Sequence, residues 1–181
     1  MELVVSVSIM VIVSTVFLAN YHLYGSRGTL NATVQKVATD IRQVQGFSLG
    51  LKQFNGSTPL GGWGAYFSSQ NPDRTHYSIF ADVDENKICQ SNCTPSVNEF
   101  LKSLDLSKGV ETDQIILTDV NGSPTTVNRI DLVYVPPDPK IFICGNVSQC
   151  DYIKGEIIFK NTSGATSSVI VNTLGLVDVK N

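Results

Sequence analysis

The chain has 181 residues, enough for one ordinary domain and an appendage but too few for two independent cores. Lys and Arg number 13 against 16 Asp and Glu, so there is no basic excess to advertise nucleic acid binding and no acidic tail. Low charge with abundant Ser, Thr, Asn and Gly suits a β-rich, extracytoplasmic domain.

The chain opens with "MELVVSVSIMVIVSTVFLANY", in which Glu2 is the only charge. From Leu3 to Ala19 the polar residues are Ser6, Ser8, Ser14 and Thr15, which a helix satisfies on its own carbonyls. A run of that length lies at the short end of what spans a bilayer, and no Lys or Arg precedes it as in a secretory signal. Residues 1–19 are therefore expected to be the apolar half of a helix, either transmembrane or in a filament core. Beyond Asn20 the apolar residues Leu30, Val34, Val37, Ile41, Val44 and Leu51 recur at helical spacing between Gln35, Lys36, Asp40, Arg42 and Gln43. Residues 20–53 read as the amphipathic continuation, with Gly25 and Gly28 a soft point near the junction. Such a helix would be about 75 Å long at 1.5 Å per residue, too long for one small domain to cover. Its front half needs lipid or other subunits.

Residues 54–181 are expected to form a β-rich globular domain. "WGAYFSS" and "THYSIFADV" are separated by "QNPDR", and "QIILT", "RIDLVYV", "IFICG", "GEIIFKN", "SSVIVNT" and "LVDVKN" follow at intervals typical of an antiparallel meander. "SVNEFLKSLDL" fits a short helix or a strand equally.

The four cysteines form two local pairs, Cys89/Cys93 and Cys144/Cys150. Two small disulfide loops are the simplest of three pairings, and a zinc site made of all four is the alternative. Asp82, Asp84 and Asn86 in "DVDEN" echo the first half of a calcium loop, but the glycine and the distant bidentate Glu are missing. An acidic β-turn is the favoured reading, and no metal or cofactor is expected. His22 and His76 have no ligand partner at metal spacing. Neither Gly-x-Ser-x-Gly nor a phosphate-binding glycine loop occurs, so no enzyme is expected. The six Asn-x-Ser/Thr sequons are no more than an Asn-, Ser- and Thr-rich chain makes by chance.

The start "MELVVSVSIMVIV", its polar helical continuation, the hairpin "GWGAYFSS…YSIFADVDEN" and the close "VIVNTLGLVDVKN" resemble type IV pilin-like proteins. Within them, the hairpin and the close resemble the minor pseudopilins of type II secretion, the H-type or pilus-tip subgroup. The resemblance implies an α+β fold, a long N-terminal helix packed on an antiparallel β-sheet domain. It implies a structural subunit held in the bacterial inner membrane by that helix, with the globular domain outside, and later drawn into a pilus or pseudopilus. Other pilin or pseudopilin subunits, an inner-membrane assembly platform and a prepilin peptidase are the implied partners, and N-terminal methylation the implied modification. Nucleic acid is not an expected partner. Glu2 falls on the family's assembly acid and Met1 on its fourth mature position, so the leader and the aromatic mature start are expected upstream. Leu176 stands where DNA-binding members of the subgroup tend to place Arg. A tip module for DNA or a surface ligand, and an anchored extracytoplasmic enzyme, are the alternative readings.

Overall fold

A computed structural model describes the backbone of residues 2–137, 140–146 and 150–180, with side chains at 3–16, 25–137, 141–146 and 150–180. Helix α1 (Glu2–Leu49) runs without a break through Gly25 and Gly28. Its end is set by Leu51, whose φ of 50° is left-handed. That turn lets Lys52 N–H reach the Phe47 carbonyl (2.9 Å) and Leu51 N–H reach that of Ser48 (3.1 Å), satisfying carbonyls the helix leaves open. The helix thus stops short of Gln53, where the apolar stripe alone had extended it.

Only the second half of α1 is built into the domain. Leu30, Val34, Val37, Ala38, Ile41 and Val44 are fully buried, the three- and four-residue spacing putting them on one face. Polar bonds fix the helix lengthwise: Arg42 Nη2 donates to Val177 O (2.7 Å), Ser48 Oγ to Tyr134 O (2.6 Å), and Asn161 Nδ2 to Ser26 O (3.1 Å). The Tyr77 hydroxyl donates to the Asp40 carboxylate.

The strands are β1 (Gly62–Ser68), β2 (His76–Asp82), β3 (Phe100–Asp105), β4 (Val110–Asp119), β5 (Pro124–Val127), β6 (Arg129–Val135), β7 (Lys140–Cys144), β8 (Tyr152–Asn161), β9 (Thr166–Asn172) and β10 (Val177–Lys180). They form two five-stranded sheets, ordered β3-β2-β1-β6-β7 and β10-β9-β8-β4-β5. The chain leaves the first sheet after β3, builds the β4-β5 hairpin in the second, returns for β6 and β7, and crosses again for β8 to β10. α1 touches β1 and β6 of one sheet and β8, β9 and β10 of the other. Phe67 and Phe159, with ring centroids 6.5 Å apart, close the core between the sheets.

The sheets differ in burial. β8 alternates buried and half-exposed residues, as a strand with one wet face does, whereas β1 is buried at every position. The reason is a second apolar cluster, Tyr66, Phe80, Val133, Cys89 and Cys93, on the far side of the first sheet, where residues 83–99 cover it. Gly64 makes this close packing possible, since a Cβ there would lie 2.4 Å from the Phe80 ring.

Three expectations are corrected. A helix packed along one antiparallel sheet, the α+β pilin-like arrangement, gives way to a chain whose mass is two five-stranded antiparallel sheets. The helix meets them through its second half, while the described side chains of residues 3–16 are all exposed. The β-strands do not form a single meander, because a local pattern shows that a strand is half-buried but not which sheet it joins. The transmembrane assignment, with the inner-membrane location that depended on it, is also corrected: among the described residues no helix is long and apolar enough to cross a membrane.

Candidate functional site

The segment from Val83 to Glu99, lying over the outer face of the first sheet, carries the buried Glu99 and bonds to two further buried carboxylates, Asp82 and Asp131. Cys89 and Cys93 are disulfide-bonded at its centre, with Cα atoms 5.1 Å apart, and the pair faces Tyr66, Phe80 and Val133. Cys144, the last residue of β7, forms the second disulfide with Cys150. No thiol is free, which leaves no four-cysteine zinc site.

An ion pair holds this segment to β6. Asp131, fully buried, receives Arg129 Nε on Oδ2 (2.6 Å) and Arg129 Nη2 on Oδ1 (2.9 Å). Cys89 N–H also donates to Asp131 Oδ1 (2.9 Å), and Arg129 Nη2 donates back to the Cys89 carbonyl. The guanidinium lies 4.9 Å from the Tyr66 ring centroid. Burial pushes the Asp131 carboxyl up against the pull of Arg129, and the forked geometry, with donors on both oxygens, is that of an ionised pair.

The "DVDEN" residues form an acidic turn at the end of β2. Asn86 N–H donates to Asp82 Oδ1 (3.1 Å), Lys87 N–H to Asp82 Oδ2 (3.1 Å), and Lys87 Nζ lies 3.4 Å from that same oxygen. Glu85 and Lys87 take left-handed φ values of 61° and 67° to make the turn. Asp84 Oδ2 receives Asn86 Nδ2 (2.8 Å) and Gln90 Nε2 (2.6 Å). Asn86 presents its own oxygen to Ile88 N–H at 2.8 Å.

Glu99, just before β3, completes the cluster, and sequence reasoning missed it. Ala81 N–H donates to its carbonyl (2.8 Å), drawing it beside the end of β2. Its Oε1 accepts from Val83 N–H at 3.1 Å. One carboxylate oxygen from each of Asp82, Asp84 and Glu99 lies within 4.8 Å of the other two. The distant glutamate absent from the linear motif therefore arrives by strand pairing. A cleft of about 380 Å³ opens beside it, lined by Asp84, Gln90, Ser96, Asn98 and Glu99 among others. His76, read as an ordinary polar residue, lies near Asp73 (3.8 Å) and joins no ligand group, while the side chains of the predicted assembly residue Glu2 and of His22 lie outside the described residues.

Burial, reinforced by the Asp84 charge, pushes the Glu99 carboxyl up from 4.5 to about 7. As pH rises from about 4.5 to about 7, the unfolded chain is ionised at this residue while the folded one still holds its proton. Stability from this group therefore falls as pH rises through that window. Urea denaturation at pH 4.5, 5.5 and 7.5 should show that fall in wild type and a flatter profile in Glu99→Gln. Identical profiles would place Glu99 at the ordinary carboxylate range.

No protein-family model, curated protein or solved structure matches the chain.

Proposed function

We propose that this chain is a structural subunit of a helical filament of the type IV pilin and pseudopilin kind, assembled through the apolar half of α1. One observation carries the reading: from Leu3 to Val16 ten large apolar side chains stand exposed on a helix, Leu3 and Met10 at 77% and 72% among them. At 100° per residue, these ten side chains together reach every side of the helix, which suits burial among several neighbours rather than one two-helix seam. Burying ten such side chains is worth gross about 15–30 kcal/mol, enough to exceed the roughly 4–15 kcal/mol that association costs. Neighbours meeting the helix through surfaces that differ on its several sides would make heterologous contacts, the kind that builds an open helical filament where the rotation does not close. The role is architectural, and no catalytic step is assigned to it.

A photo-crosslinking amino acid placed at Ile9 of the full chain should yield a ladder of cross-linked subunits, and removal of residues 1–25 should abolish it. A single dimer band, or labelling of lipid alone, would overturn the reading. Glu2 enters as the residue that sets register. The nearest cationic residue in the chain, Arg27, is about 37 Å away along a helix, so a carboxylate buried among neighbours needs compensation from another subunit. In the same assay Glu2→Ala should leave the domain folded and lose in competition with wild type for incorporation; equal incorporation would remove Glu2 from assembly.

A further inference from the structure

We propose that Asp82, Asp84 and Glu99 form a binding site for a calcium ion, which locks the segment from Val83 to Glu99 onto the first sheet. The carboxylates alone would be only an acidic cluster. The further observation is Glu99 Oε2: the residue is 4% exposed, and this oxygen is sealed from solvent with no hydrogen-bond partner among the described residues. Its companion Oε1 is already held by Val83 N–H, so the carboxylate is fixed in place with one oxygen left over, beside two more acids. A buried, unpartnered carboxylate oxygen is costly, and a cation would compensate it.

The donor set selects the ion. All three groups supply oxygen, the nearby cysteines are committed to a disulfide, and among the described residues no histidine joins the cluster, which points to a hard cation rather than zinc. Calcium takes six to eight oxygens in irregular arrangement, so three carboxylates on a turn and a strand entrance, completed by water from the adjoining cleft, suit it better than the strict octahedron of magnesium. Reversing the Gln90 amide, which now donates Nε2–H to Asp84, would turn a donor into a fourth protein oxygen. Lys87 is the internal competitor. Its Nζ sits 3.4 Å from Asp82 Oδ2 and 5.6 Å from the Phe142 ring, on a stem long enough to swing away when a divalent ion takes its place.

The test uses the full chain with both disulfides intact, stripped with chelator and titrated with calcium chloride at fixed pH and ionic strength. Binding is followed by calorimetry and by the thermal midpoint. Wild type should bind one ion and melt higher. Glu99→Gln and the exposed Asp84→Asn should each weaken Kd roughly tenfold or more, at least what losing an outer-shell partner of a metal costs. Lys87→Met should tighten it, an outcome that a merely structural salt bridge at Lys87 does not give. An equal response to magnesium chloride, no response at millimolar calcium, or unchanged affinity in both acid variants would overturn the site. Asp84→Asn keeps the test decisive if Glu99→Gln proves poorly folded.

Discussion

Removing residues 1–49 should abolish cooperative folding, while removing residues 1–25 should leave a folded domain. The boundary follows from where α1 stops being exposed. From Leu30 onward its stripe lies in the core with side chains from both sheets, as buried as the strands themselves. Leu30, Val34, Val37, Ile41 and Val44 are fully buried, and at about 1.5–3 kcal/mol each they contribute gross about 10 kcal/mol, comparable with the whole stability of a domain of this size. Without the helix the Trp63 indole loses the Phe47 ring, whose centroid lies 5.4 Å away, and the Asp40 acceptor of Tyr77 goes with it. Residues 26–181 and 50–181 can be compared by near-ultraviolet circular dichroism and urea denaturation. A sigmoidal transition in the shorter chain would show that the sheets are self-sufficient and the helix merely docked.

That division was half legible in the sequence. The stripe from Leu30 to Leu51 has the period of a buried helix face, and the structure buries it from Leu30 to Val44 but leaves Leu51 exposed beyond the helix. The helix stop at Leu49 was not legible, because Leu51 carries no preference for the left-handed turn it makes. Strands with β-branched runs, such as Arg129–Val135 and Thr166–Asn172, announce themselves, whereas Pro124–Val127 is a four-residue edge strand of Pro, Thr and Val beside a turn and gave little period to read. "SVNEFLKSLDL" was ambiguous because its apolar residues fit both periods; pairing with β2 resolves Phe100–Asp105 as a strand. The partition into two sheets depends on pairings between residues far apart in sequence, which no local window contains. The same limit hid Glu99: the turn at Asp82, Asp84 and Asn86 was visible as a motif, but the glutamate is brought to it by the β2–β3 ladder.

Asp131→Ala should destabilise the protein by about 3–5 kcal/mol, the usual cost of removing one partner of a buried ion pair. The cost comes from what stays behind. Arg129, with a side chain 18% exposed, would keep its charge and lose both forked bonds, and Cys89 N–H would lose its acceptor in a site closed to water. Two effects therefore combine, an uncompensated charge and an orphaned backbone donor. The consequence should be local as well as global: the bonds from Arg129 and Asp131 to Cys89 tie the covering segment to β6, so their loss should expose the cluster of Tyr66, Phe80 and Val133 beneath it. Hydrogen exchange should then accelerate across residues 83–99 more than in α1. The double variant Arg129→Leu with Asp131→Leu distinguishes a packing role from an electrostatic one. With no charge left unpaired, it should be less destabilised than Asp131→Ala even though it also deprives Cys89 of its partner. If the single variant costs less than about 1 kcal/mol, as an exposed salt bridge would, the pair does not hold the segment in place. If the double variant is the worse of the two, the forked ion pair itself, rather than the avoidance of a lone charge, is what secures residues 83–99 to the sheet.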